Sequence, residues 1–329
     1  MRRTLASTGV ALALAAVAAC GAGAGGGGSD TASAENYPEE PLEWTVAFGP
    51  GGGNDIMSRQ IVDILEKENI YTEDITVENI DAGSGAVGWG KVHSNAGNPY
   101  SISSTSGSFL TTPLESDTGW EPTDFTHVGL LAQDASLFLT SKDSNLTTWE
   151  DWVKYAKDKG KVAVGGIGVV NIDLILHNEL ADQAGYEIEY VPFNEEAQLI
   201  TGLSSGSLDA VTSNPAEVLG QVEAGEMNPL LYTGDEPMPG LEEVPTAKDK
   251  GITDMVTTPR GVILPPDVSD EFRDWWIDAL KQVVETPEWQ EYLEKNNLTS
   301  DERWGEDFST YVEETSSSLE ERLKEQGAL

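Results

Sequence analysis

Cysteine, histidine and basic residues are scarce in this sequence. It holds one cysteine (Cys20), three histidines, and 19 lysines and arginines against 57 aspartates and glutamates. A single cysteine excludes an intrachain disulfide and a cysteine-built zinc site. His93, His127 and His177 are scattered without H-E-x-x-H or similar spacing, so they read as packing or surface residues. No metal and no cofactor is therefore expected. A formal net charge of -38 repels polyanions, which argues against nucleic acid and anionic lipid as partners. It also constrains chemistry. Any anion site in so acidic a body must be local, made of backbone N–H groups and helix N-termini rather than of a basic patch.

Long apolar runs are missing as well. Only residues 5–16 approach one, and they are too few to cross a bilayer. With Arg2 and Arg3 before them, they read as the core of an export signal. The paired arginine lacks the other residues of a twin-arginine signal. The segment ends in Val17-Ala18-Ala19-Cys20, which resembles a bacterial lipobox: small residues for the peptidase, a thiol for the lipid. Residues 1–19 are thus expected to be a lipoprotein signal peptide, with Cys20 lipidated. The Gly/Ala/Ser/Thr-rich stretch within 20–40 is expected to be a flexible tether. The protein would then be extracytoplasmic, anchored to the outer face of the cell membrane.

The remaining residues are enough for two domains. Short apolar runs alternate with helical patterns. LEWTVAF (42–48) alternates like a strand and breaks into Gly49-Pro50-Gly51-Gly52-Gly53. Asn54 then opens a helix with Met57, Ile61, Ile64 and Leu65 on one face. Further strands are expected at 75–78, 100–105, 162–164, 187–191 and 208–212. Helices are expected at 86–92, 172–184, 197–203 and 217–224. Thr148 with Asp151 caps the helix of Trp152 and Tyr155. Two long helices close the chain, one over 269–285 and one carrying Phe308, Val312, Thr315, Leu319 and Leu323. Alternation of this kind argues an α/β fold with parallel, doubly wound sheets, whose ligands sit beyond the carboxyl ends of the strands.

Two enzyme signatures occur and fail on context. Gly83-Ser84-Gly85-Ala86-Val87-Gly88 spells G-x-G-x-x-G, but the acid due about twenty residues later is replaced by Ser103, Ser104, Thr105 and Ser106. Close helix packing explains the glycines better. Gly202-Leu203-Ser204-Ser205-Gly206 spells G-x-S-x-G, yet it follows a helix and precedes a strand, the reverse of a nucleophile elbow. No acid/base or nucleophile set is visible, so no enzyme is expected. What remains is a glycine turn in each half, 51–55 and 165–169, each running into a helix. Facing one another across a cleft, the two would clamp the ends of a dicarboxylate. Gly52 is expected to need φ > 0 and close approach of the ligand.

The stretch Val46-Ala47-Phe48-Gly49-Pro50-Gly51-Gly52-Gly53-Asn54-Asp55-Ile56 resembles the opening motif of the substrate-binding proteins of tripartite tricarboxylate transporters, the Bug or TctC receptors. The resemblance continues through Val77-Glu78-Asn79, Tyr190-Val191-Pro192-Phe193, Gly206-Ser207-Leu208-Asp209-Ala210, Val244-Pro245-Thr246, Lys250-Gly251 and Arg260-Gly261-Val262 to Pro265-Pro266. It implies a type II periplasmic-binding-protein-like fold: two doubly wound lobes with a ligand cleft between them. The lobes would be 41–135 plus 255–329, and 136–254. It further implies capture of a small organic acid, delivery to membrane permease subunits, and action as a monomer.

Carried over onto this sequence, the resemblance implies that Phe48, Pro50, Gly51, Gly52, Gly53 and Asn54 bind one carboxylate through backbone amides and ordered water. Asp55 would orient that loop. Thr105 and Ser106 would add hydroxyls. Gly166, Ile167, Gly168 and Val169 would receive the distal end, with Ser213 and Asn214 facing the cleft. Arg260 would either touch the ligand or brace the lobes against an acid. The pattern departs around the second turn, where Val169, Val170 and Asn171 follow Gly168 and Leu174 stands in place of a frequent histidine. The distal half of the ligand is therefore expected to be less charged than in a tricarboxylate. A ligand sensor for a membrane kinase, or an α/β hydrolase-like enzyme, are the alternatives.

Mass spectrometry of the membrane fraction should show a diacylglyceryl-modified Cys20 at the mature N-terminus. Cys20→Ser should release the protein from membranes or leave the precursor uncleaved. A soluble wild type with a free N-terminus elsewhere would refute the anchor.

Overall fold

The computed structural model describes residues 34–193, 196–253 and 255–329. The expected signal peptide, Cys20 and the beginning of the tether lie outside the described residues. Tyr37, assigned above to the tether, does not belong to one. It is buried, donates its hydroxyl to the Pro99 carbonyl at 2.7 Å, accepts from Trp276 Nε1 at 2.9 Å, and packs edge-on against Phe272 and Trp275. An aromatic ring of this size contributes too much apolar area to stay in solvent when a matching cluster is within reach.

The first sheet collects strands from both ends of the chain, in the order β11-β4-β10-β3-β1-β2. These are β1 (Leu42–Val46), β2 (Ile75–Asn79), β3 (Ser101–Ser104) and β4 (Thr126–Asp134), then β10 (Thr258–Leu264) and β11 (Thr299–Trp304). The second sheet holds β5 (Leu137–Ser141), β6 (Lys161–Ile167), β7 (Glu187–Phe193), β8 (Ala210–Ser213) and β9 (Met227–Tyr232), in the order β7-β6-β8-β5-β9. The chain passes from the first to the second between β4 and β5, and returns between β9 and β10.

Helices cover both faces of each sheet. On the first, α1 (Gly53–Lys67), α8 (Asp270–Val284) and α9 (Pro287–Asn296) bury Met57, Ile61, Trp276 and Trp289 against Trp44. On its other face lie α2 (Ala86–Ser94), α3 (Gly107–Glu115) and α10 (Glu306–Glu325), with Trp89, Phe109 and Phe308 in the core. The second sheet is covered by α4 (Trp149–Lys159) and α5 (Ile172–Ala184) on one face, and by α6 (Glu196–Ser204) and α7 (Pro215–Glu223) on the other. Thr148 caps α4 as its spacing suggests, accepting from the Asp151 N–H at 3.1 Å.

Two expectations need correction. The sheets are mixed rather than wholly parallel: β10 is antiparallel to β3 and β4, and β5 is antiparallel to β8 and β9. The reason is topological. A strand that has just crossed from the other lobe enters its sheet from the end at which the parallel strands finish, so it must run against them. Nor does α10 cover the first sheet alone. Its apolar stripe of Phe308, Val312, Leu319 and Leu323 shares a core with Leu174, Ile175 and Leu176 of α5. Its last turns also pair Arg322 with Glu179 and Gln326 with Asn178.

The G-x-G-x-x-G segment serves packing. A Cβ on Gly88 would stand 2.6 Å from Ala47 Cα, so this helix meets β1 at backbone distance. Gly220, in α7, faces open space. Gly88→Ala should therefore destabilise the protein by about 1–3 kcal/mol through overpacking. Gly220→Ala should stabilise it by about 0.4–1 kcal/mol through the unfolded chain and helix propensity. Urea unfolding of the two variants measures both; equal shifts of one sign would contradict the packing account.

Candidate functional site

Helix N-termini define the site. α1, α3 and α7 begin at Gly52, Ser106 and Asn214, and in none does the N-cap side chain satisfy the first turn. Each first turn carries donors without intrahelical partners. All three open onto one cavity of about 390 Å³ between the two sheets, lined among others by Phe48, Gly53, Asn54, Ser106, Ser213 and Arg260. A second hollow of about 410 Å³ adjoins it along Pro50, Gly52, Asn214 and Arg260 and extends to Tyr292.

Arg260 is the cation of this cavity. It lies on β10 beside a register shift against β4, and such a bulge re-aims a side chain. The ladder sets Arg260 opposite Ala132, so Asp134, two residues on, shares its face. Arg260 Nη2 donates to Asp134 Oδ2 at 2.5 Å, with both residues buried. Burial works against the charge on Arg260, but Asp134 more than restores it; the same burial pushes the Asp134 carboxyl up while Arg260 pulls it back. Of the two roles left open above, the brace is real but joins β4 to β10 within one sheet. Arg260 also faces the cavity, and its Nε has no partner. Two more groups are in that position, both polar atoms of the Asn54 amide and Ser106 Oγ, while the Asn214 amide leans on the Asp134 carboxyl. Buried polar groups are normally satisfied, so such a concentration at a cavity wall makes this the candidate site.

The first loop is held from behind. Asp55 Oδ2 accepts from the Gly51 N–H at 2.9 Å, and Oδ1 accepts from Arg59 and from Asn79 at 2.9 Å each. Asn79 also donates to the Phe48 carbonyl at 3.0 Å. Burial tends to raise the Asp55 carboxyl, but the bonds from Arg59, Gly51 and Asn79 outweigh it and hold it below the usual carboxylate range. Asp55 thus orients the loop and does not line the cavity. The backbone differs from expectation at one residue. Gly51 has the positive φ (87°), whereas Gly52 is extended at φ -77° and a Cβ there would meet nothing closer than 3.9 Å. Close approach is required at Gly53, where a Cβ would stand 2.7 Å from the Arg260 guanidinium.

The second turn is not a copy of the first. Its Ile167 N–H donates to Asp173 Oδ2 at 2.9 Å, and the Gly168 N–H to the Phe193 carbonyl at 2.9 Å. Thr212 Oγ1 donates to Asp173 Oδ1 at 3.0 Å. With these donors committed to internal partners, the turn does not offer them to an anion. Ile167 still reaches the cavity; Gly166, Gly168 and Val169 do not line it. Gly166 is packed beneath Asp173 and Tyr190, and Val169 faces solvent. Thr105 is also off the wall, its Oγ1 accepting from the Gly261 N–H at 3.1 Å to tie β3 to β10.

Sequence reasoning missed the acids. Asp81, Asp173, Glu196 and Glu217 all line the cavity. Glu196 and Glu217 open α6 and α7, after the carboxyl ends of β7 and β8, and that position in an α/β sheet was the available signal. Ser213 Oγ donates to Glu196 Oε1 at 2.5 Å. Burial first and the neighbouring Glu217 second push the Glu196 carboxyl up to about 8, and burial raises Glu217 as well. Asp173 is raised by burial to about 6.

A larger hollow of about 970 Å³ lies along α10 and the β9–β10 connection. Arg303 pairs there with Asp301, Gln133 bonds to Tyr311, and none of its described lining residues has a buried side-chain polar atom without a partner, so it lacks the unpartnered set of the cleft. Among the described residues no cluster of His, Cys, Asp and Glu is arranged to hold a metal, and no helix is long and apolar enough to cross a membrane.

Residues 57–327 match the model of the tripartite tricarboxylate transporter family receptor. The chain belongs to that family. It is a family of receptors rather than of enzymes, in keeping with the resemblance read from the motifs. The receptor is 24% identical to a UPF0065 protein of Cupriavidus necator, over 86% of each chain. Its fold matches that of MatC from Rhodopseudomonas palustris with bound malate, with a TM-score of 0.75 at 18% identity, covering 87% of this chain and 100% of that one. An adipate-bound R. palustris protein matches with a TM-score of 0.78 at 20% identity, covering 88% and 98%. The match begins at Met57, just after the glycine loop, so it is independent of the motif that first suggested the family.

Gly53→Ala should displace the Arg260 guanidinium and destabilise the receptor by about 1–3 kcal/mol, whereas Gly52→Ala should leave its unfolding midpoint unchanged. Thermal unfolding of both variants checks this. A larger loss at Gly52 would mean that the loop is constrained otherwise than by Arg260.

Proposed function

We propose that this receptor captures a small organic carboxylate outside the cytoplasm and delivers it to the membrane permease subunits of a tripartite tricarboxylate-type transporter, as a monomer tethered through a lipid on Cys20. One observation carries the reading: three helix N-termini without side-chain caps and the partly unpartnered Arg260 converge on a single cavity of about 390 Å³. The dipoles and free N–H groups of such termini favour an anion even in a protein of high negative charge. The volume lies in the range of roughly 300–1,000 Å³ usual for small-molecule sites. Membership of the receptor family supports the transport role. The malate and adipate held by the two structural neighbours support a carboxylate ligand. Phe48, Pro50, Gly52, Gly53, Asn54, Ser106 and Arg260 would receive its carboxylate, with Ser213 and Asn214 closing from the other lobe.

A calorimetric screen of small organic acids, amino acids included, tests the reading. At least one should bind, and Asn54→Ala should weaken it without unfolding the protein, because that amide has no internal partner to lose. Loss of a charge-assisted bond costs about 1.5–3 kcal/mol, or ten- to a hundredfold in affinity. No binding by any carboxylate, or an unaffected Asn54→Ala variant, would overturn the assignment.

A further inference from the structure

We propose that the ligand carries a cationic N–H group as well as a carboxylate, and that Glu196 and Glu217 hold that cation on the second lobe. The inference rests on the carboxylate reading of the same cavity and deepens it to a class of zwitterionic acids, that is, amino acids and their ω-amino homologues.

The charge inventory of the wall carries the argument. Asp81, Asp173, Glu196 and Glu217 face the cavity, and among its described lining residues the only cation is Arg260, already paired with Asp134. A dicarboxylate would place its second negative charge among Asp173, Glu196 and Glu217 of the second lobe, with no basic residue to receive it, while Asp81 lies beside Gly49 on the first. The second turn cannot compensate, since its Ile167 and Gly168 N–H groups are committed within the protein. Asp173 is likewise occupied, by Ile167 and Thr212. Glu196 and Glu217 are different. They come from two helices, adjoin one another, and neither forms a salt bridge among the described residues: Arg260 is near enough to act on Glu217 but is committed to Asp134. An acid that merely complements a helix dipole sits in water. Two acids buried together oppose one another's ionisation, and a cation between them removes the conflict.

The opposite wall supplies an independent sign of a ligand. The Asn54 amide is 4% exposed, Arg260 6% and Ser106 7%, and each presents a polar atom with no partner. Those donors suit a carboxylate; the facing acids suit a nitrogen cation. A metal ion between the glutamates is not favoured, since no metal-holding cluster exists among the described residues. Quaternary ammonium fits poorly too, because it has no N–H to give two carboxyl groups and an aromatic cage is absent, with Phe48 the one aromatic side chain on this wall.

The test compares acids of equal chain length on the mature protein near neutral pH: pentanoate, glutarate, 2-aminopentanoate and 5-aminopentanoate, with their shorter and longer homologues. One amino acid should bind at least about tenfold tighter than both the monocarboxylate and the dicarboxylate of its length. Glu196→Gln and Glu217→Gln should each remove that preference while retaining cooperative unfolding and monocarboxylate binding. The proton count gives a second readout. Glu196 faces Glu217 and Asp173, and Glu217 faces Arg260 and Asp134. In that setting the empty pair keeps a proton, and an arriving cation displaces it. Calorimetry in two buffers of different ionisation enthalpy should show proton release for the amino acid and none in Glu196→Gln. Tightest binding by a dicarboxylate, or a preference that survives both substitutions, would overturn this inference and leave the carboxylate reading standing. If no carboxylate binds at all, both fall.

Discussion

The buried pair of Arg260 and Asp134 is the interaction on which the rest of the site depends. It ties β10, by which the chain returns to the first sheet, to the end of β4, by which it leaves. Two charges out of water require good geometry and each other; removing either partner from such a pair typically costs about 3–5 kcal/mol. Here the pair also orients the guanidinium. Asp134 holds one edge, Gly53 leaves room for the group against the first turn of α1, and Nε is left for the cavity. A residue at Gly53 with any side chain would compete for the same space. The last glycine of the run after β1 is thus explained by a neighbour more than two hundred residues away.

The two lobes solve the same problem in opposite ways. In the first, an acid sits behind the loop: Asp55 takes the Gly51 N–H and turns the following donors toward the cavity. In the second, an acid sits on the loop: Asp173 takes the Ile167 N–H itself and closes the turn. The result is a cavity with a donor-rich wall and an acid-rich wall. The proposed carboxylate would sit on the former, and the proposed polarity of the ligand rests on this asymmetry.

Much of this was legible in the residues. The α1 face of Met57, Ile61 and Leu65, the cap at Thr148 and the helix 172–184 follow from local periodicity and hydrogen bonding. The failure of the G-x-G-x-x-G and G-x-S-x-G signatures could be argued from their context alone. Tyr37 was misplaced because the composition around it is that of a tether, and only contact with Phe272 and Trp276 shows otherwise. The acids had only their place after the strand ends to mark them, for a similar reason. Glu196 and Glu217 are ordinary first-turn residues until folding places them side by side.

By itself, then, the sequence determined an alternating α/β chain, a glycine loop leading into α1, and the motifs of a receptor family, because those depend on residue type and short-range spacing. Tertiary structure decided which glycine of the loop a distant side chain crowds, what Arg260 is paired with, and which wall of the cleft is richer in acids. Those are facts about distances between residues far apart in the chain. A buried charge takes its meaning from the group that folding places beside it.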